Sequence, residues 1–170
     1  WSLAFVLVLL AVLRRWAWLG EVVRRPRTLA TFALSALLLS GNWLVYVWAV
    51  NDGRVVDASL GYFITPLVNV LLGYFVLRER PRPAQWGALA VAAAGVLWLT
   101  FFAGALPWVG LVLAATFGIY GLMRKTAPLG ALEGLALETL LLAPLAAGLL
   151  AWQTARAGSA FTGGDAALLG

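Results

Sequence analysis

One acidic residue stands inside a long apolar segment. Glu138 lies about ten positions into the run 129–152, where a membrane-crossing helix would place it near the hydrocarbon centre. An ionised carboxylate at that depth costs about 2.5–3.5 kcal/mol on insertion scales, so it should face a polar cavity, pair with a cation or stay protonated. Glu138 is therefore either a carboxylate that binds substrate or carries a proton, or an acid hydrogen-bonded to a neighbouring helix. Glu133 lies nearer the end of the run and is expected to be interfacial.

A second polar group lies within the apolar run Asp57–Arg80. Tyr62 and Asn69 fall on one face of a helix, and Thr65 precedes Asn69 by one turn. Pro66 removes a backbone donor and frees the carbonyl of Tyr62, which inside a membrane must find another partner or face a cavity. Both a substrate path and a polar contact between helices would explain this face.

Further polar and aromatic residues lie on neighbouring runs. Asn42 and Tyr46 are one helical turn apart, and Tyr120 belongs to the run 107–123. Trp43 is suited either to stacking on an aromatic substrate or to the aromatic belt at the membrane surface. The candidate substrate-binding residues are Asn42, Tyr46, Tyr62, Thr65, Asn69, Tyr120 and Glu138.

The composition places these residues in a membrane protein. Of 170 residues, 63% are hydrophobic and 11% are charged, whereas about 25% of a soluble domain is charged. The mean hydropathy is +0.93 and the pI is near 10.5. The basic residues flank apolar runs, which is typical of membrane proteins, so the basic pI does not indicate nucleic acid as a partner.

The sequence contains neither Cys nor His. A thiolate metal site is therefore excluded, and the commonest metal ligand and general base is missing. The sequence also lacks the P-loop pattern of ATP-driven pumps and any nucleophile–base motif. We therefore predict no catalytic residue, no metal and no cofactor.

Hydropathy and turn residues divide the chain into an all-α arrangement of membrane-crossing helices. The five complete runs are 28–50, 57–78, 84–102, 107–123 and 129–152. Residues 1–13 are too short to cross about 30 Å of hydrocarbon and are expected to end a helix, while the last residues are expected to begin another. The chain is thus expected to be a piece of a longer protein. In the run 84–102, Ala88, Ala92 and Gly95 form a stripe that permits close helix packing.

Basic residues are concentrated in alternate links between these runs. Ten of the twelve Lys and Arg residues lie in 14–27, 78–83 and 124–125, and the other two are Arg54 and Arg156. By the positive-inside rule, the first three links are predicted to be cytoplasmic. The segment 14–27 is either a short amphipathic helix at the interface or a basic loop.

The order of several motifs resembles the RarD branch of the EamA family, within the drug/metabolite transporter superfamily. The resemblance covers nearly the whole chain, although Thr65 stands where Asn is common in that family. The motifs are GNWLVYVWAVN at 41–51, DASLGYFITPLVNVLLGYFVLRER at 57–80, Gln85-Trp86, Gly95-Val96, GIYGLMRK at 118–125 and GLALETLLLAPLA at 134–146.

The resemblance implies a ten-helix bundle made of two inverted five-helix halves with both termini in the cytoplasm. Residues 1–102 would then hold the end of helix 2 and helices 3–5 of the first repeat. Residues 103–170 would hold helices 6 and 7 and the start of helix 8. The implied function is export of drugs or metabolites across the bacterial cytoplasmic membrane by a secondary transporter.

Three functions are compatible with these features. A transporter working by alternating access would use a small-molecule substrate, the lipid bilayer and a proton as candidate coupling ion, and could form a homodimer. A membrane enzyme on lipid-linked substrates would need a catalytic set that is not visible. A membrane scaffold would leave Glu138 and the polar face at 62–69 without a role.

Overall fold

The computed structural model describes residues 2–13 and 16–157, and all regular structure in these ranges is helical. The all-α fold class is therefore confirmed, while the helix expected at the end of the chain lies outside the described residues. The helices are α1 (Ser2–Val12), α2 (Ala17–Val23), α3 (Pro26–Asn51), α4 (Val55–Phe75), α5 (Pro83–Ala103), α6 (Trp108–Thr126) and α7 (Ala131–Ala157).

Proline and glycine set most of the helix boundaries. Pro26 and Pro83 stand at the first position of α3 and α5, where a missing N–H costs nothing. Gly53 in the α3–α4 turn and Gly104 after α5 have φ angles of 78° and 65°, which glycine adopts without strain. Gln85 Oε1 also accepts a hydrogen bond from the Arg82 backbone N–H at 2.7 Å and caps α5.

Four of the five predicted membrane runs form helices that are long and apolar enough to cross a membrane, namely 26–51, 55–75, 83–102 and 131–152. The fifth run forms α6, whose 19 residues do not meet the same measure. Its glycines and the terminal pair Arg124 and Lys125 lower its hydropathy. The chain is a multi-pass membrane protein, and α1, with 11 residues, is shorter than these helices.

The segment 14–27 is predicted from the sequence to be either a short helix or a basic loop. The structure contains a helix over residues 17–23 of it. Trp18 and Val22 are buried on it, whereas Trp16 before it is exposed. Arg14 and Arg15 lie outside the described residues.

The chain forms two compact units. One contains residues 22–128. The other combines the described residues of 1–21 with those of 129–157, and in it α1 packs against α7. The predicted division into repeats at 102/103 concerns an internal symmetry of the longer protein, and it stays a prediction.

In the 22–128 unit, α6 packs against both α4 and α3. Phe32 lies against the Arg124 end of α6 and Ala49 clusters with Val109 at its start, so α3 runs antiparallel to α6. Contacts between α4 and α6 advance in the same direction along both helices, so these two run parallel.

Small residues allow the close approach of α4 and α6. A Cβ atom on Gly110 would lie 2.9 Å from the Asp57 carbonyl oxygen and 3.0 Å from the Gly61 nitrogen. Further along α6, Ala114 is fully buried and Gly118 lies against Val68. Small residues thus recur at every fourth position of α6, which brings the two helices into backbone contact.

Among the described residues, the small-residue stripe of α5 does not form the close helix contact that its spacing permits. Ala88, Ala92 and Gly95 are exposed, and nothing in the described structure lies within 4 Å of a Cβ built on Gly95. The α5 helix packs on α4 instead, with Val96 against the cluster of Leu60 and Ile64. The small residues that carry the close crossing are therefore those of α6.

The Gly110 crossing predicts a position-specific effect of one methyl group. Gly110→Ala should destabilise the protein by about 1–3 kcal/mol, because backbone atoms on α4 cannot move aside as a side chain can. Gly95→Ala, in open space, should be neutral or slightly stabilising through helix propensity. Thermal unfolding in detergent micelles compares the two, and equal melting temperatures would contradict the predicted crossing.

Candidate functional site

A cavity of about 260 Å³ opens between α3, α4 and α6 in the 22–128 unit. Each of the three helices contributes side chains to its wall. The lining residues are Asn42, Trp43, Tyr46, Ala58, Gly61, Tyr62, Thr65, Pro66, Leu113 and Phe117.

Asn42 joins α3 to α6 at the edge of this cavity. Its Nδ2 donates to the Leu113 carbonyl oxygen at 2.9 Å and to Thr116 Oγ1 at 2.8 Å. Thr116 in turn donates to the Val112 carbonyl oxygen at 2.7 Å. These two bonds hold the Asn42 side-chain amide against α6, a helix rich in glycine and alanine.

Thr65 and Pro66 lie together on the α4 wall. Thr65 Oγ1 donates to the Gly61 carbonyl oxygen at 2.7 Å, one turn back along the same helix. The helix continues through Pro66 to Phe75. The hydroxyl of Thr65 thus satisfies a backbone carbonyl beside the point where Pro66 supplies no donor.

Aromatic rings form one side of the cavity. Trp43 and Tyr46 meet edge to face with ring centroids 6.0 Å apart, and Tyr46 and Tyr62 do so at 6.2 Å. Trp43 and Tyr62 remain 59% and 65% exposed, so this side is open. Edge-to-face rings offer an apolar surface on which another aromatic ring can pack.

The structure brings together four of the seven predicted site residues, namely Asn42, Tyr46, Tyr62 and Thr65. Asn69 is exposed one turn beyond Thr65, with Oδ1 3.4 Å from the position of a Cβ on Gly118. Tyr120 is half-buried on α6 and is not part of the lining. The binding roles of all seven residues stay predictions.

The sequence predicts a contribution from Tyr120 on α6 but does not indicate Leu113 and Phe117, which line the cavity instead. Leu113 and Phe117 are one turn apart and face the cavity. Their four-residue spacing places both on one face of α6, but apolar residues have this spacing on most helices, so it does not identify a cavity wall. Only the observed packing of α6 against both α3 and α4 shows which face of it turns inward.

Glu138 belongs to the other unit. It lies on α7 and is 1% exposed, so this carboxyl group is shielded by protein. Glu133, in the first turn of the same helix, is half-buried. Among the described residues, no group of three or more acidic side chains is placed to hold a metal ion.

Charged clusters lie at both ends of the 22–128 unit. At one end Arg54 pairs with Asp52 at 2.9 Å, and its guanidinium lies 5.7 Å and 5.6 Å from the ring centroids of Trp48 and Trp108. Trp48 and Trp108 are thus both cation–π partners of Arg54.

At the opposite end Glu79 pairs with Lys125 at the end of α6. The sequence neighbours of Glu79, Arg78 and Arg80, are exposed. The observed partner is distant in sequence and close only through the parallel packing of α4 and α6.

Four of the described helices are long and apolar enough to cross a membrane, and two of them, α3 and α4, line the cavity, which places the chain among multi-pass membrane proteins. Within this class, residues 1–101 match the EamA-like transporter family, and the chain belongs to that family.

Relatives agree with this assignment and confirm the resemblance to RarD. The chain is 52% identical to an uncharacterized transporter of Pseudomonas aeruginosa, over 86% of this chain and 49% of that protein. It is 48% identical to Protein RarD of Streptomyces exfoliatus, over 95% and 51% respectively. It is 37% identical to the Chloramphenicol-sensitive protein RarD of Pseudomonas aeruginosa, over 89% and 52%. The chain spans about half the length of these relatives, and no solved structure matches it.

The hydrogen bond between Asn42 and Thr116 predicts a measurable coupling between α3 and α6. In a double-mutant cycle of Asn42→Leu and Thr116→Val, the coupling energy should be about 0.6–1.7 kcal/mol, the range of interhelical hydrogen bonds in membranes. Thermal unfolding in micelles supplies the stabilities. Thr100→Val is the matched control, because the Thr100 hydroxyl bonds only within α5, so its cycle with Asn42→Leu should show no coupling.

Proposed function

We propose that the full-length protein is a secondary transporter of small organic molecules in the bacterial cytoplasmic membrane. The observation that carries this proposal is the cavity between α3, α4 and α6, which collects amide, hydroxyl and aromatic groups from apolar helices. Membership of the EamA-like transporter family supports it.

The cavity has the character expected of a transport path. Polar side chains in a membrane are costly unless they face protein or a water-accessible space. Here Asn42, Tyr46, Tyr62 and Thr65 converge on one space. The proposed mechanism is alternating access, in which packed helices rock around this site and open it to each side in turn.

The orientation follows from the basic residues. The start of α3 and the ends of α4 and α6 share one end of the 22–128 unit, because α3 runs antiparallel to the other two. Arg25, Arg80 and Lys125 are exposed there. Under the positive-inside rule this end lies in the cytoplasm, and the Arg54 end faces outward.

In this proposal Glu138 carries the coupling proton. Glu138 is only 1% exposed within an apolar membrane helix, and ionisable groups at such positions are commonly functional. The depth of Glu138 and its burial support this role.

The orientation predicts which introduced thiols are accessible from outside the cell. The sequence contains no Cys, so single-cysteine variants need no background removal. Ala105→Cys, in the α5–α6 link, should react with a membrane-impermeant maleimide in intact cells, whereas Arg80→Cys should react only after lysis. The reverse pattern would invert the proposed topology.

The role of Glu138 predicts a loss of coupling without a loss of folding. Glu138→Gln should abolish chloramphenicol accumulation driven by a pH gradient in inverted membrane vesicles, because the amide cannot carry a proton. Chloramphenicol is the probe because it appears in the name of one relative.

Glu133→Gln is the matched control and should retain most of the flux, since this residue is only half-buried near the start of α7. Unchanged melting temperature would show that Glu138→Gln is folded. Coupled flux in Glu138→Gln equal to that of the unaltered protein would contradict the proton-carrying role.

A further inference from the structure

The hydrogen bonds of Asn42 determine which polar atom it offers to a ligand. The Leu113 carbonyl oxygen can only accept, so the amide atom that contacts it is the donor Nδ2. Nδ2 also donates to Thr116 Oγ1, whose own proton is directed to a backbone carbonyl. Both amide hydrogens are engaged on α6, and Oδ1 is the polar atom that Asn42 keeps for the cavity.

Thr65 is restricted in the same way. Its single hydroxyl proton is donated to the Gly61 carbonyl oxygen at 2.7 Å. The Thr65 oxygen can therefore only accept a hydrogen bond from a ligand. Asn42 and Thr65 thus place two acceptors in one cavity, while the hydroxyls of Tyr46 and Tyr62 interact with each other.

The remaining wall favours a flat ring. Trp43, Tyr46 and Tyr62 form a series of edge-to-face contacts, and Phe117 belongs to the same cavity. A ligand ring can extend this series with the same geometry. The volume of about 260 Å³ is small for a ligand site and suits a molecule of one or two rings.

The lining contains no charged side chain. A charge taken from water into such a site is costly unless an opposite charge pairs with it. Aromatic faces attract cations, but a cation in this cavity would lack a carboxylate among the lining residues. The cavity therefore disfavours both anions and cations relative to an uncharged molecule.

We infer that this cavity binds an uncharged aromatic ring that carries N–H or O–H donors. The inference names the substrate class of the site in the proposed transporter, and it rests on that proposed function. Its specificity comes from acceptors held in place by bonds to α6 and to the α4 backbone.

Three probes of similar size test the inference on the full-length protein in lipid nanodiscs by isothermal titration calorimetry. Benzamide is uncharged and has two N–H donors, N,N-dimethylbenzamide has the same ring without donors, and trimethylphenylammonium carries a fixed charge. We expect benzamide to bind at least about tenfold more tightly than either of the other two, because both acceptors would otherwise stay unpaired.

The variant Thr65→Val removes one acceptor while keeping the side-chain shape. It should weaken benzamide binding about three- to tenfold and leave N,N-dimethylbenzamide binding unchanged. Thr100→Val removes a hydroxyl with the same backbone hydrogen bond on α5, outside the cavity, and should change neither.

Several results would overturn the inference. These are equal affinity for the two benzamides, tighter binding of the ammonium ion, an unaltered benzamide affinity in Thr65→Val, or no binding of any probe. Failure of the transport function is separate, because a protein with the expected selectivity that moves neither benzamide nor chloramphenicol across a membrane would overturn transport alone. A protein that transports but prefers the ammonium ion would overturn the ligand class alone.

Discussion

The close crossing of α4 and α6 is the constraint on which the 22–128 unit depends. At Gly110 the two backbones approach so closely that a single Cβ would meet the Asp57 carbonyl oxygen at 2.9 Å. In a membrane, lipid tails compete equally for apolar side chains, so helices associate through such close contacts and through interhelical hydrogen bonds. The crossing sets the position of Leu113 and Phe117, and these complete the cavity wall.

The hydrogen bonds from Asn42 to α6 add polar contacts to this helix packing. They hold α3 against the same helix that α4 contacts through glycine. One helix therefore organises two neighbours, and its glycines permit the tight packing against α4.

Much of the fold could be predicted from the sequence because its signals are local. Pro26, Pro83 and the Asp52-Gly53 turn mark helix ends through the dihedral angles they allow, and apolar runs mark membrane helices through transfer free energy. Four of the candidate site residues could be grouped because helical spacing places them on inward faces.

The rest depends on which helices are neighbours, and hydropathy does not encode this. The Glu79–Lys125 pair joins residues that are far apart in sequence, while the adjacent Arg78 and Arg80 looked equally suitable. The small-residue stripe on α5 favours close packing by its spacing, but the close contacts are made by Gly110 and Gly118 on α6.

The parallel course of α4 and α6 has a consequence for α5. Because α4 and α6 run in the same direction, the chain must cross the membrane in the opposite direction between them, and α5 is the helix that does so. None of its membrane-crossing window is buried by protein. Packing on the other described helices therefore constrains the apolar run of α5 little, and its length is set by the need to span the bilayer between the end of α4 and the start of α6.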